Sequence, residues 1–214
     1  MKCNHDMVRL RRHLHAHPEL SERESETARI IVRSLERHKP TSVIDGLGRM
    51  GTGVCAVFDS GKPGPTVLLR AELDALPINE ANSFEHRSTR PGVSHKCGHD
   101  GHMATLVAVA ASLHDHPLQG GRVYLLFQPA EEIGTGALAI IEDERFRALR
   151  SPDFVYAFHT VPRYPLGRVL VRKGVIAQGS VGFVAAFTGH TSHSSYPEHG
   201  LSPARAMTEV VGRV

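Results

Sequence analysis

Cys97-Gly-His99, Glu131-Glu132 and His159 are the residues of this 214-residue chain whose types and placing can do chemistry together. A thiolate, two imidazoles and two carboxylates suit a borderline divalent ion such as zinc or manganese. The glycine between Cys97 and His99 lets the backbone turn tightly, so both flanking side chains can point at one ion. Glu131 and Glu132 follow an apolar run and a proline. In extended backbone their side chains diverge, so one can bind metal while the other faces a reacting water. A carboxylate within hydrogen-bond reach of that water can take its proton, while the metal lowers the water's pKa and polarises a carbonyl. Singly, each segment has a bland reading: a buried structural cysteine, a solvated charge pair, a strand-end histidine. Three such segments in one chain weigh against it. His95 and His102 flank the Cys-x-His segment and could serve as supporting or capping groups or as ligands. His114 and His116 lie near a helix end and read as solvated. His5, His13, His15, His17, His38 and His86 have no metal-like context.

The elements that must position these residues can be read from pattern. Asp6 to His17 reads as a short surface helix ended by Pro18. Ser21 and Glu24 have capping-box spacing, and Ala28, Ile31, Val32 and Leu35 follow at helical spacing, which predicts a helix over Glu22 to His38. Gly51 to Phe58, Thr66 to Arg70, Val123 to Phe127, Phe154 to Phe158 and Gly167 to Val171 read as strands. Met103 to Leu113 is apolar almost all round and reads as a buried helix; Thr135 to Asp143 reads as a short one. Strands alternating with helices argue for an α/β layered domain. In such sheets ligands collect beyond the carboxyl ends of strands, where Glu131-Glu132 and His159 fall. The texture changes near Ala177 to Ser180. Val181 to Thr188 reads as a strand, Gly189 to Gly200 as loop, and Ser202 begins a helix with Ala204, Met207, Val210 and Val211 on one side. The expected organisation is one domain over residues 1–178 and the start of a second, smaller one over 179–214.

Composition narrows the function classes. A net charge of +3 without a block of like charge is too mild to argue for nucleic acid. No apolar run is long enough to span a bilayer, and the first twenty residues lack a signal-peptide core. Three widely separated cysteines, Cys3, Cys55 and Cys97, argue against a disulfide framework and for a reducing cytoplasm. Fifteen histidines against eight phenylalanines and no tryptophan fit metal or proton chemistry.

The chain resembles the amidohydrolase branch of the M20 metallopeptidases, which includes hippurate, N-acyl-amino-acid and auxin-conjugate hydrolases. Five stretches carry the resemblance in order: His15-Ala-His-Pro-Glu-Leu-Ser21 with Glu24; Leu69-Arg-Ala-Glu-Leu-Asp-Ala-Leu-Pro-Ile78; His95-Lys-Cys-Gly-His-Asp-Gly-His102; Phe127-Gln-Pro-Ala-Glu-Glu132; and Phe158-His159 with Pro162 and Gly167. The resemblance implies a zinc-exopeptidase-like mixed sheet flanked by helices, with a smaller α+β lid used for dimerisation. It implies two divalent metal ions (Mn2+ or Zn2+, with Co2+ or Ni2+ as alternatives), Cys97 bridging them and His99, Glu132 and His159 as further ligands. It implies Glu131 as general base and acid, and Asp74 as a group that supports the ligands. Gly189-His-Thr-Ser-His193-Ser-Ser-Tyr-Pro197 resembles the lid's histidine segment, which places His193 at the substrate's carbonyl or carboxylate.

Three departures bear on substrate preference: Glu72 stands where the family has Asp, Thr191-Ser192 replaces a glycine pair, and Glu198 stands where many relatives have His. The family's lid continues well past residue 214 and is followed by a last metal-binding histidine. A truncated chain within the lid is therefore expected, with weak turnover by itself. The expected activity is metal-dependent hydrolysis of the amide bond of an N-acyl amino acid or small peptide-like conjugate. The alternatives are a dipeptidase or aminobenzoyl-glutamate hydrolase, and a catalytically silent metal-binding fragment. A structural zinc module fits poorly, because such sites close on four paired Cys or His ligands and have no use for Glu131.

Overall fold

A computed structural model of the chain describes residues 2–176, 179 and 182–213. It divides into two compact units, Met1–Arg163 and Tyr164–Val214.

The first unit is a mixed five-stranded sheet with helices on both faces. Its strands are β1 (Ser42–Leu47), β2 (Gly53–Asp59), β3 (Thr66–Glu72), β4 (Arg122–Gln128) and β5 (Phe154–Ala157), in the order β1-β2-β4-β3-β5. β1, β2 and β4 run antiparallel in turn, whereas β3 is parallel to both β4 and β5. Side chains alternate faces along a strand. Val54, Ala56 and Phe58 of β2 with Leu125 and Phe127 of β4 accordingly pack under helices α1 (Lys2–Ala16), α2 (Ser25–Glu36) and α3 (His99–Asp115). Cys55, Val57, Tyr124 and Leu126 face the other way, against Ile140 of α4 (Gly136–Glu142) and Phe146 of α5 (Glu144–Arg147). Burial on both faces explains why these strands read as continuous apolar runs. The α3 crossover brings the chain from β3 back to β4 in parallel, so its N-terminus returns to the carboxyl ends of β3, β4 and β5.

Several expectations need correction. The first helix is not merely superficial: Leu14 and His15 are buried in it. The second helix begins at Ser25, and the Ser21–Glu24 capping box does not form. The Ser21 hydroxyl donates instead to Asp74 Oδ2 at 2.7 Å. Glu24, fully buried, accepts from the Ala130 N–H (2.8 Å) and the Thr52 hydroxyl (3.0 Å) as well as from the Glu22 N–H. Buried donors that cannot reach water outcompete a local cap. β1 was not expected; it breaks register between Ile44 and Leu47 and carries little apolar pattern. Gly167 to Val171 is not a strand, and neither are the described residues 182–188. A strand exists only where a neighbour completes its ladder, and no described segment pairs with either one.

The second unit contains one antiparallel bridge, His190 to Leu201, a 3-10 turn at Pro197–His199 and helix α6 (Ala204–Val211). Met207 and Val211 of α6 are exposed. Ala177, Gln178 and Ser180, where the change of texture was read, and Val181, the first residue of the expected strand, lie outside the described residues. Among those that are described, no helix is long and apolar enough to cross a membrane.

Candidate metal centre

Three segments meet at the carboxyl ends of the parallel strands: the loop after β3, the turn after β4 and the segment after β5. The N-terminus of α3 lies against them. Gly98, the N-cap of α3, has φ 89°, a conformation that favours glycine. A Cβ there would also stand 2.9 Å from Thr160 Oγ1. This turn puts Cys97 and His99 on one side, as the Cys-x-His spacing suggested.

Cys97 Sγ lies 3.2 Å from His159 Nε2. His99 Nε2 lies 3.7 Å from a Glu131 oxygen and 3.8 Å from a Glu132 oxygen. Cys97, His99 and His159 form one group whose donor atoms all lie within 4.8 Å of one another; His99, Glu131 and Glu132 form a second, sharing the same histidine. The two glutamates do not diverge as extended backbone would require. Ala130 is left-handed at φ 48°, and the Gly134 N–H closes a turn onto the Glu131 carbonyl at 2.9 Å. Both carboxylates therefore approach the same imidazole. Their exposure differs: the Glu131 side chain is 38% exposed and that of Glu132 17%.

The surroundings fit a cation. His99 Nδ1 donates to the Asp74 carbonyl at 2.8 Å. In the neutral ring that leaves Nε2 with a bare lone pair. This Nε2 is buried with no partner among the described residues, and so is Glu132 Oε1, 3.8 Å away. Two facing buried polar atoms without a hydrogen-bond partner among the described residues are costly unless a third body satisfies both, and a divalent ion does so with the ring neutral. Burial, and after it the negative charge of Glu132, Glu131 and Glu72, pushes the Cys97 thiol up to about 12. Burial also raises the Glu132 carboxyl, helped by Glu131 and Asp74. A site this rich in acceptors and anions suits a dication, and a bound dication would favour the thiolate.

Supporting contacts surround these donors. Asp74 Oδ2 accepts from the Glu132 N–H at 2.9 Å and from Ser21. Burial would raise the Asp74 carboxyl, but hydrogen bonds from His99, the Glu132 N–H and Ser21 outweigh it and hold the carboxyl down. His102 donates from Nδ1 to Glu72 Oε2 at 2.8 Å and accepts the Thr160 N–H at Nε2, 3.2 Å away. It thereby supports the residue after His159. Glu72 also accepts from Arg70 at 2.7 Å. His95 is buried, and neither of its nitrogens has a partner among the described residues. His114 is solvated as read. His102 takes the supporting role that was one of the readings open for it; sequence reasoning missed the roles of His15, Glu24 and Glu72. The only signal for the first two was their place in the N-terminal stretch of the resemblance. His193 belongs to the other compact unit, where it is exposed and its Nδ1 accepts from the Ser195 N–H at 3.2 Å.

Layered α/β architecture with this donor set at the strand ends is the build of a metal-dependent peptidase domain. The chain belongs to peptidase family M20/M25/M40, whose sequence model matches residues 68–210. IAA-amino acid hydrolase ILR1-like 2 of Arabidopsis thaliana is 38% identical over 212 residues, which are 96% of this chain and 45% of that protein. N-acetyl-L-cysteine deacetylase of Bacillus subtilis (strain 168) is 34% identical over 210 residues, 96% of this chain and 48% of that protein. The crystal structure of the Bacillus subtilis YXEP protein, a dinuclear metal binding peptidase from the M20 family, matches with a TM-score of 0.69 at 35% identity. The match covers 77% of this chain and 45% of that one. The chain spans about half the length of the curated relatives it matches.

Proposed function

We propose that the protein is a metal-dependent amidohydrolase acting on the amide bond of an N-acyl amino acid or a small peptide-like conjugate. The observation that carries this reading is the pair of buried polar atoms without a hydrogen-bond partner among the described residues, His99 Nε2 and Glu132 Oε1, beside Cys97 and His159, with the more exposed Glu131 at the same place. Cys97, His99, Glu132 and His159 are the residues that would hold two divalent ions, manganese or zinc in preference to cobalt or nickel. Divalent ions held there would polarise the scissile carbonyl and acidify a water.

The chain's own groups do the rest. Asp74 fixes His99 and Glu132 through two hydrogen bonds. His102 holds the His159 segment through the Thr160 N–H. Glu131 has no ligand duty in this scheme. Its carboxylate takes the proton of the attacking water and gives it to the amide nitrogen as the C–N bond breaks, which leaves a free amine and a carboxylate. His193 is the proposed contact to the substrate's carbonyl or carboxylate, residues 179–214 are proposed as part of a lid, and a homodimer is the proposed assembly of the full-length protein. The proposed location is the cytoplasm. The names of the two relatives, an amino acid conjugate hydrolase and an N-acetyl amino acid deacetylase, support this substrate class.

The test is release of free amino acid from a panel of N-acyl amino acids by chelator-stripped protein, before and after reloading with manganese or zinc. Release only after reloading is expected. Equal release by stripped protein would overturn the metal-dependent reading. Metal binding without any release would select the catalytically silent metal-binding reading instead.

A further inference from the structure

His15 lies outside the donor set, yet it is 5% exposed, and both of its ring nitrogens face carboxylates. Nδ1 stands 2.9 Å from Asp100 Oδ2 and Nε2 3.2 Å from the Glu80 carboxylate. The two carboxylate side chains are 0% and 2% exposed. A neutral imidazole has one N–H and one lone pair, so one carboxylate would meet a lone pair in a site shut off from water. Either a carboxyl or the ring must carry the extra proton.

The neighbours decide which. Asp100 Oδ2 also accepts from Arg11 Nε at 3.0 Å, and Asp100 sits in the first turn of α3, where a negative charge is favoured. Glu80 also accepts from Lys96 Nζ (2.6 Å), the Ser88 N–H (2.6 Å) and Asn82 Nδ2 (2.8 Å). Both carboxylates are thus held ionised, and the proton falls to the ring. The other groups around it are the rings of Phe84, His86 and His95, at centroid distances of 5.4, 5.7 and 6.4 Å. Hydrogen bonding to Asp100 is the largest influence on the ring and raises its pKa, against burial.

The two carboxylates reach opposite ends of one turn. Asp100 follows His99 in sequence, and Glu80 binds Lys96, which precedes Cys97. Gly98, between them, has no side chain of its own to hold the turn.

We propose that His15, as an imidazolium clamped between Asp100 and Glu80, is a positioning residue that holds both ends of the Cys97-Gly98-His99 turn in its metal-binding shape. This rests on the metal reading above. It adds a residue from α1, 82 positions before Cys97, to the machinery of the site.

The test reads charge and metal separately. The first measurement is nitrogen NMR of the metal-free protein, which reports the protonation of His15 at pH 7.5. The second is cobalt(II) titration followed by its visible absorption, for wild type, His15→Gln and Glu80→Gln. Both ring nitrogens of wild-type His15 should be protonated. Folded His15→Gln should bind cobalt about tenfold more weakly, the scale for removing a supporting contact. Glu80→Gln should lower the pH at which His15 loses its proton and weaken cobalt binding with it, a paired shift that simple packing would not produce. A neutral His15 in wild type, or a folded His15→Gln with wild-type affinity, would overturn the proposal. If His15→Gln fails to fold, wild-type affinity in Glu80→Gln overturns it in its place. Wild-type protein that binds no cobalt would refute the metal reading itself, and the clamp with it. Affinity lost only in the variants cannot be mistaken for that outcome.

Discussion

The backbone N–H of Glu132 donates to Asp74 Oδ2 at 2.9 Å, while the backbone carbonyl of the same Asp74 accepts from His99 at 2.8 Å. One residue after β3 thus sets a carboxylate from the β4 turn and an imidazole from the α3 N-terminus at a fixed separation. Asp74→Ala removes the first bond and the Ser21 contact but leaves the carbonyl. The expected result is a folded protein with metal affinity reduced about tenfold or more, measured by cobalt(II) titration. Unchanged affinity would mean that Glu132 is placed by its turn alone.

Glu131→Gln should leave metal binding close to wild type, because Glu132, His99, Cys97 and His159 remain. Hydrolysis in an active preparation should fall by roughly two or more decades, the scale for loss of a general base. The informative comparison is turnover against metal content in the same sample. Near-normal turnover would assign the proton transfer to another group.

Gly136, the first residue of α4, packs against the turn that carries the glutamates. A Cβ built on it would stand 1.6 Å from the Pro129 carbonyl oxygen, with the Pro129 carbonyl carbon at 2.6 Å. These are backbone atoms and cannot swing aside. Gly136→Ala should destabilise the protein by about 3 kcal/mol, the upper part of the usual range for overpacking, seen as a lower urea midpoint. It should also weaken cobalt binding, since relief requires the Pro129-Ala130 turn to move. A midpoint within error of wild type would contradict this packing.

Acid stability should depend on Glu80. Burial would raise its carboxyl, but the hydrogen bonds from Lys96, the Ser88 N–H, Asn82 and His15 hold it down to about 2, against an ordinary 4.5. A depressed carboxyl binds its proton more weakly in the folded state. Its stabilisation is therefore complete above pH 4.5 and disappears as the pH falls from there towards 2. Glu80→Gln should flatten that part of the stability curve, measured by urea unfolding between pH 3 and 6. Glu24 acts in the opposite sense: burial raises its carboxyl, so its contribution falls as the pH rises through and above 4.5. A variant curve parallel to wild type across the window would count against the Glu80 contacts.

The chemistry-bearing segments of the site were legible because each is local. Cys97 and His99 share one turn, and the glycine between them announces it; Glu131 and Glu132 follow directly from β4, and His159 lies just past β5. The strands β2 to β5 and the helices α3, α4 and α6 were legible for a related reason: period and length are properties of a short window. The helix α2 was legible in its middle but not at its start. Capping-box spacing is a local pattern, and Ser21 and Glu24 answer instead to Asp74, Thr52 and Ala130, which lie far off in sequence.

The sequence by itself determined which residue types could bind a metal, that they fall at strand ends, and that the domain is layered α/β. Tertiary structure alone decided the arrangement that joins them. The strand order β1-β2-β4-β3-β5 brings the ends of β3, β4 and β5 side by side. Only then do Asp74, His99 and Glu132 meet. Only the packing of α1 on α3 carries His15 to Asp100, 85 residues away. Alternation and capping are written in neighbours along the chain. A buried charge is defined by what surrounds it in space, and no spacing rule connects His15 to the two carboxylates that hold its proton.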